Sequence, residues 1–350
     1  MITKIISEEK IRKVKKYIEK GESFVITAHV APDGDALGSS LGLYLFLLEY
    51  GKENVTVILP NDFPQFYRWM PGAKDIIIYE KYRDFADDLI KKADVIFCLD
   101  FNEPKRIDKM ADAILASEGR KVMIDHHLNP GDFCRVVVSY PEISSTSEMI
   151  FRLICRMGHF DLITKKIAEC IYTGMMTDTG SFSYNSNKPE IYNIIGELVK
   201  KGIDKDLIYR KVNQTSSEAR MRLMGYVLYD KMEVFPEHKT ALITLSKEEQ
   251  ERFEYKTGDT EGFVNLPLGI DGIEFSVFIR DSKEYQKISL RSVGDFPCNL
   301  FAGKFFNGGG HKNASGGEFY GSLEEAVSIF KKGLLTFNPN KIEETNRDIR

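Results

Sequence analysis

The stretch His29-Val30-Ala31-Pro32-Asp33-Gly34-Asp35 offers one imidazole and two carboxylates within seven residues. Hard oxygen donors beside one nitrogen donor, on a backbone loosened by proline and glycine, suit a divalent cation. Taken alone the stretch also reads as an Asp-Gly turn with a chance histidine, since short motifs match by accident. Phe97-Cys98-Leu99-Asp100 places a further carboxylate after an apolar run, and Met123-Ile124-Asp125-His126-His127 places an acid and two imidazoles after another. A lone aspartate in such a position is usually a cap or turn residue. Three apolar runs each ending in metal-type ligands are harder to explain by capping. Asp178, in Gly174-Met175-Met176-Thr177-Asp178-Thr179-Gly180-Ser181, reads by itself as a helix-end turn.

Together His29, Asp33, Asp35, Asp100, His126 and Asp178 supply four carboxylates and two imidazoles. That set suits two divalent ions sharing a bridging carboxylate, with positions open for water and substrate. Oxygen and nitrogen donors without thiolate point to two manganese ions ahead of magnesium, cobalt or iron, and zinc stays open.

These ligands need a scaffold that brings distant segments to one edge. Residues 8–20 have the spacing of an amphipathic helix, with Ile11, Val14 and Ile18 on one face and Gly21 as its stop. Strands are predicted over 23–28, 54–59, 75–79, 94–99, 121–124 and 134–138, with helices over 36–50, 82–92 and 104–117 between several of them. Near-continuous Val, Ile and Leu runs separated by helices predict an α/β fold with a mainly parallel sheet covered on both faces. Its ligands would sit at the carboxyl ends of the strands. Helices over about 146–157 and 163–176 would close this first domain, 1–188. Residues 189–230 read as three helices with polar joints, a connector. A smaller α/β domain follows over 231–340, with strands at 231–235, 240–245, 272–280 and 285–291 and helices at about 296–306 and 322–334. The polar segment Asn338–Arg350 is expected to fray.

Composition bounds the alternatives. A chain of 350 residues, 43% hydrophobic and 29% charged, is a soluble globular protein of about two domains. A net charge of -4 argues against coating long duplex nucleic acid, though not against a short anion in a local pocket. Cys98, Cys134, Cys155, Cys170 and Cys298 are scattered and form no C-x-x-C pair, so neither a zinc ribbon nor a disulfide framework is indicated. The first residues lack a secretory apolar region, and the longest apolar run, Leu41–Leu48, is too short for a bilayer. A cytoplasmic protein without a membrane partner is expected.

In order along nearly the whole chain, His29-x-x-Pro32-Asp33-Gly34-Asp35, Asp100, Asp125-His126-His127 and Asp178 resemble the four motifs of the DHH phosphoesterases. Ser289-Leu290-Arg291-Ser292 and Gly308-Gly309-Gly310-His311-Lys312-Asn313-Ala314-Ser315-Gly316-Gly317 look like the signature of the DHHA1 domain that accompanies DHH in one branch. Within that branch, length and layout are similar to the nanoRNase and pAp phosphatase group. The resemblance implies one cation on His29, Asp33 and Asp100 and another on Asp35, Asp100, His126 and Asp178, with Asp100 bridging. It further implies that Asp125 orients a ligand or water, that His127 faces the scissile phosphate, and that a water between the ions attacks phosphorus. The glycine-rich stretch would let backbone approach an anion, with Arg291, Gly309, Gly310, His311 and Asn313 as the phosphate grip. A flexible hairpin loop is the plainer reading of three glycines. The two domains would close over substrate, with a homodimer as one option for assembly.

The resemblance thus implies a metal-dependent hydrolase of short RNA oligonucleotides and 3′-phosphoadenosine 5′-phosphate. Polyphosphate or pyrophosphate hydrolysis, hydrolysis of pApA or pGpG, and a non-catalytic nucleotide sensor are the alternatives. Other residues read plainly. His159 and His238 are expected at the surface, and Phe63, Phe66, Tyr67 and Trp69 as an apolar cluster under a loop, with base stacking the alternative. Lys105 and Arg106 meet either a phosphate or solvent, and Ser144-Ser145-Thr146-Ser147 caps a helix.

Overall fold

A computed structural model describes residues 4–282 and 284–337. Contacts divide the chain into two units, Met1–Thr215 and Ser216–Arg350. The division falls inside the stretch read as a connector. The helices Pro189–Lys200 (α7) and Lys205–Asn213 (α8) bury Ile191, Ile194, Leu198 and Ile208 in the first core, while Glu218–Tyr229 (α9) buries Leu223 and Val227 in the second. The segment Asn338–Arg350 lies outside the described residues.

The first unit runs α1 (Glu8–Lys20), β1 (Ser23–Thr27), α2 (Gly34–Glu49), β2 (Asn54–Leu59), β3 (Ile77–Ile78), α3 (Arg83–Lys92), β4 (Val95–Leu99), α4 (Ala111–Ala116), β5 (Arg120–Asp125), β6 (Val136–Ser139), α5 (Thr146–Arg156) and α6 (Lys165–Asp178), then α7 and α8. Its six strands stand in the order β3-β2-β1-β4-β5-β6, and every neighbouring pair is parallel. Alternate side chains of each strand go to opposite layers. Phe24, Ile26, Val95, Phe97, Leu99, Val122 and Ile124 pack with α1, α2, α5 and α6. Val25, Ile96, Cys98 and Met123 pack against Ile90, Ile107, Met110 and Ile114 on the other face. Both faces are therefore buried, which is why these strands are apolar throughout rather than alternating.

Strand order reverses between β1 and β4, and the crevice at such a reversal is where open α/β sheets bind ligands. The helix expected over 104–117 is broken. Pro104–Met110 forms tight turns with Asp108 at φ 46°, a left-handed residue that no right-handed helix can pass through, before α4 begins. Helices α2 and α6 cross backbone to backbone. A Cβ on Gly38 would stand 2.6 Å from Cys170 O and 2.8 Å from Gly174 N, so only glycine permits the crossing. That approach sets the first turn of α2 beside the last turn of α6.

In the second unit α9 leads into β7 (Met232–Phe235), β8 (Thr240–Leu245), α10 (Lys247–Arg252), β9 (Phe275–Asp281), β10 (Gln286–Ser292), α11 (Cys298–Phe305), β11 (Gly309–His311), β12 (Ala314–Phe319) and α12 (Leu323–Thr336). The mixed sheet has the order β11-β12-β10-β9-β8-β7, with β8 and β9 parallel and the other neighbours antiparallel. Phe275, Val277, Ile279, Ile288 and Leu290 pack with Phe301, Phe306 and Phe330 to form its core. Paired strands at β11 and β12 were not expected from the sequence, whose plainer reading there was a flexible hairpin loop. Its glycines are poor strand formers, and only pairing of β12 with β10 holds them extended. The short helix α10 was likewise unpredicted, although Ser246 and Glu249 complete a capping box there. Among the described residues, no helix is long and apolar enough to cross a membrane.

Candidate metal centre

The loop after β1 carries His29 and Asp33, and the first turn of α2 carries Asp35. Asp33 caps α2, its Oδ1 accepting from Asp35 N and Ala36 N at 3.0 Å each. That leaves Oδ2 on the side of His29, whose Nε2 stands 3.8 Å away. Asp100 follows β4 directly at φ 61°, a left-handed turn that swings its carboxylate over the strand ends. His29 Nε2 stands 3.4 Å from Asp100 Oδ2 and His126 Nε2 3.5 Å from Asp100 Oδ1, so one carboxylate faces both imidazoles. His126 Nε2 is also 3.8 Å from Asp35 Oδ2 and 3.4 Å from Asp178 Oδ2. Each imidazole lies against a backbone carbonyl through Nδ1, His29 against Val30 O at 2.7 Å and His126 against Ile143 O at 3.2 Å. With Nδ1–H donating there, Nε2 is left as the nitrogen that could bind a cation, and it faces the carboxylates.

The six residues thus come together as two groups sharing Asp100. His29, Asp33 and Asp100 offer ligand atoms within 4.8 Å of one another, and so do Asp35, Asp100 and His126. Asp178 joins the second group through His126. A third group of Asp100, Asp125 and His127 adjoins them. There His127 Nδ1 stands 2.7 Å from Asp125 Oδ1, while its backbone N–H donates to Asp125 Oδ2 at 3.1 Å.

Electrostatics follow from burying four carboxylates together. Burial and repulsion from Asp100 and Asp178 hold Asp35 well above the ordinary carboxylate range. Burial, opposed by His126 and reinforced by Asp100 and Asp33, pushes Asp178 up to about 6. Burial acts on Asp100 too, but the hydrogen bond from His29 and the charges of the three histidines outweigh it and hold Asp100 far below the usual range. His126 is disfavoured as a cation by burial, yet Asp178, Asp100 and Asp35 lift it to about 10. His29 is likewise opposed by burial and raised overall by Asp100 and Asp33. Protons are held here because negative charge is concentrated in a dry site, and divalent cations would take their place. The donor set fits such ions.

The sequence undervalued Thr146 and Ser147, read there as part of a helix cap. Ser145 is the residue that caps α5, accepting from Glu148 N at 3.0 Å. The next two amides, Thr146 N and Ser147 N, donate to the Asp35 carboxylate at 2.6 and 2.8 Å, and Thr146 Oγ1 donates to Asp100 Oδ1 at 2.9 Å. The positive end of α5 therefore fixes two of the clustered carboxylates. Gly174 of α6 must be bare, since a Cβ there would meet Asp35 Oδ1 at 2.8 Å. His159, expected at the surface, is half-buried, its ring edge-on to Tyr50 at 4.9 Å between centroids; His238 is exposed. Tyr67 is buried in the first core with Phe63, and Trp69 is half-buried beneath the Lys211 ammonium, 4.4 Å from its centroid.

In the second unit Arg291 lies on β10, opposite Ala314 of β12. Its Nη1 donates to Leu290 O at 2.9 Å, while its Nε is buried without an acceptor. Gly309 and Gly310 are the first two residues of β11 and His311 its last, so the glycine-rich stretch is a paired hairpin rather than an open loop. Gly310 has φ 136° and a Cβ there would lie 2.7 Å from Ala314 O, whereas Gly309 faces open space. Asn313 pins the turn, its Nδ2 donating to Ser292 Oγ at 2.8 Å and Gly294 O at 3.1 Å.

Residues 23–175 match the DHH family N-terminal domain and residues 240–334 match the DHHA1 domain. A bifunctional oligoribonuclease and PAP phosphatase NrnA from Thermus thermophilus is 33% identical over 320 residues, covering 91% of this chain and 91% of that protein. Its namesake from Bacillus subtilis is 27% identical, covering 92% of this chain and 95% of that one. The crystal structure of an exopolyphosphatase-related protein from Bacteroides fragilis is 61% identical with a TM-score of 0.91, covering 97% of this chain and 99% of that chain. RecJ from Thermus thermophilus shares the fold at 12% identity and a TM-score of 0.51, covering 94% of this chain and 55% of its own.

Proposed function

The chain belongs to the DHH phosphoesterases, in the branch that carries a DHHA1 domain, and from that premise we propose that it hydrolyses short RNA oligonucleotides and 3′-phosphoadenosine 5′-phosphate. One observation carries the reading: Asp100 stands between two histidine–carboxylate groups, so a single carboxylate is positioned to serve two cations. His29, Asp33 and Asp100 would hold one, and Asp35, Asp100, His126 and Asp178 the other. We take manganese as the cation, since oxygen and imidazole donors meet without thiolate. Bound there, the pair would acidify a water and neutralise the charge of phosphate oxygens.

The chain's own residues do the rest. The amides at the start of α5 keep Asp35 aimed, and the Val30 and Ile143 carbonyls fix the ligand tautomers of His29 and His126. Asp125 positions His127, so that with Nδ1 committed, Nε2 is the nitrogen that would meet a phosphate oxygen. In the second unit, considered by itself, we assign Arg291 with Gly309, Gly310 and His311 as a phosphate grip, and Asn313 holds its turn in place.

The name of the Bacteroides fragilis structure favours a second reading, hydrolysis of polyphosphate. Comparing 3′-phosphoadenosine 5′-phosphate, an RNA dinucleotide and pyrophosphate at equal concentration, with MnCl2 and after chelation, separates the two. Preferential turnover of the first two, abolished by chelation, is the expected result. Faster turnover of pyrophosphate would replace the proposal with the second reading, and binding without any turnover would make the protein a nucleotide sensor.

A further inference from the structure

Arg106 stands beside the metal centre with no part in the ligand set. It lies in the tight turns after β4, and its carbonyl accepts from Val30 N at 2.8 Å, tying those turns to the loop that bears His29. Two left-handed non-glycine residues flank this bridge, Ala31 at φ 51° and Asp108 at φ 46°. Each costs on the order of 1 kcal/mol or more, and such conformations persist where surrounding structure imposes them, commonly at functional sites. Ala31 is held by its N–H donating to Asn61 Oδ1 at 2.8 Å. The placement of Arg106 against His29 is therefore specified by backbone on both sides.

The side chain is half-buried and its Nε is enclosed without an acceptor. Glu103, three residues earlier, pairs with Lys105 instead, and among the described residues Arg106 forms no ion pair. Its charge reaches the site, where it opposes protonation of His29. A guanidinium edge kept from water without an acceptor is unfavourable, and the usual remedy is a carboxylate. No carboxylate of the cluster takes that place. Once cations occupy the cluster, its negative charge is largely spent on them, and the acceptor that suits a planar fork is an oxyanion arriving with substrate.

We propose that Arg106 is a substrate-binding residue of this centre, donating to non-bridging oxygens of a phosphate held on the His29 side. The role rests on the phosphoesterase reading but asks something separate of the molecule, namely an anion contact supplied by a side chain that binds no cation. It also distinguishes Arg106 from its neighbour Lys105, whose ammonium is exposed and engaged by Glu103.

The test uses the full chain with MnCl2 and the variants Arg106→Gln and Arg106→Lys. Calorimetry gives the affinity for Mn2+ and, on the loaded protein, for inorganic phosphate; steady-state kinetics with 3′-phosphoadenosine 5′-phosphate give kcat and KM. The expected result is unchanged Mn2+ affinity, phosphate binding about tenfold weaker in Arg106→Gln, a kcat/KM lower by about 100-fold, and partial recovery in Arg106→Lys. Phosphate affinity equal to that of the unaltered protein overturns the assignment, as does a loss of Mn2+ affinity that accounts for the loss of activity. If the unaltered protein turns over none of the nucleotides, the functional reading fails, while the phosphate titration still decides the role of Arg106.

Discussion

The carboxyl edge of the first sheet and the glycine hairpin of the second unit are specified in different ways. At the sheet edge the chemistry lies in side chains, and the backbone serves to aim them: Asp100 is swung by a left-handed turn, Asp35 is held by two helix amides, and two carbonyls choose the tautomers of His29 and His126. In the hairpin the backbone itself is the feature, with Gly310 at φ 136° pressed against Ala314 O and Asn313 spent on bracing the turn. A charged cluster tolerates little change in residue type. A backbone-specified site tolerates little change in shape.

The sharpest way to break the comparison is at Asp100. Asp100→Asn removes the shared carboxylate, and a loss of several kcal/mol of charge stabilisation corresponds to on the order of 10³-fold or more in turnover. The Mn2+ stoichiometry measured by calorimetry should fall with it, and full activity in this variant would refute the shared-ligand arrangement. In the hairpin, Gly310→Ala should destabilise the second unit by about 1–3 kcal/mol through strain at positive φ. Gly309→Ala should be nearly silent in the same thermal melts, since its Cβ meets open space. Equal effects at the two glycines would show that backbone geometry is not what the hairpin depends on.

A smaller effect is expected one step out from the ligands. Asp125→Asn keeps the shape but weakens the hold on His127, and losses of about 10- to 100-fold are usual for such partners. The loss should appear in kcat with Mn2+ affinity preserved, whereas a fall in Mn2+ affinity would make Asp125 a ligand.

The mildest probe is pH. His126, lifted from 6.5 to about 10, stabilises the metal-free fold fully below its ordinary value, and that contribution is lost as pH rises toward 10. Asp178, raised from 3.8 to about 6, has already lost its contribution by then and is ready to bind a cation. The rise in Tm produced by MnCl2 should therefore be larger at about pH 8 than at about pH 5.5, where Asp178 still holds its proton. A Tm gain independent of pH would mean that the ions bind elsewhere.

Much of this was open to inspection in the sequence. His29, Asp33, Asp35, Asp100 and His126 each follow an apolar run that becomes a parallel strand, and the alternation of those runs with helices is enough to predict a sheet whose carboxyl edge gathers them. Asp178 was weaker, because it ends a helix rather than a strand, and nothing local says that α6 will cross α2 at glycine distance. The work of Thr146 and Ser147 was hidden for the same reason: a capping sequence shows that a helix begins, not what its first amides will meet.

The primary sequence by itself determined which residues could ligate metal and that a parallel α/β sheet would carry them, since residue type and hydrophobic period are local properties. Tertiary structure alone decided that Asp100 faces both histidines, that the glycine stretch pairs as strands instead of forming a loop, and that Arg106 is left beside His29 without a carboxylate. Those outcomes depend on distances between segments far apart in the chain. Such distances are set by packing of the whole unit, where each close approach is permitted or forbidden by atoms that no sequence window contains.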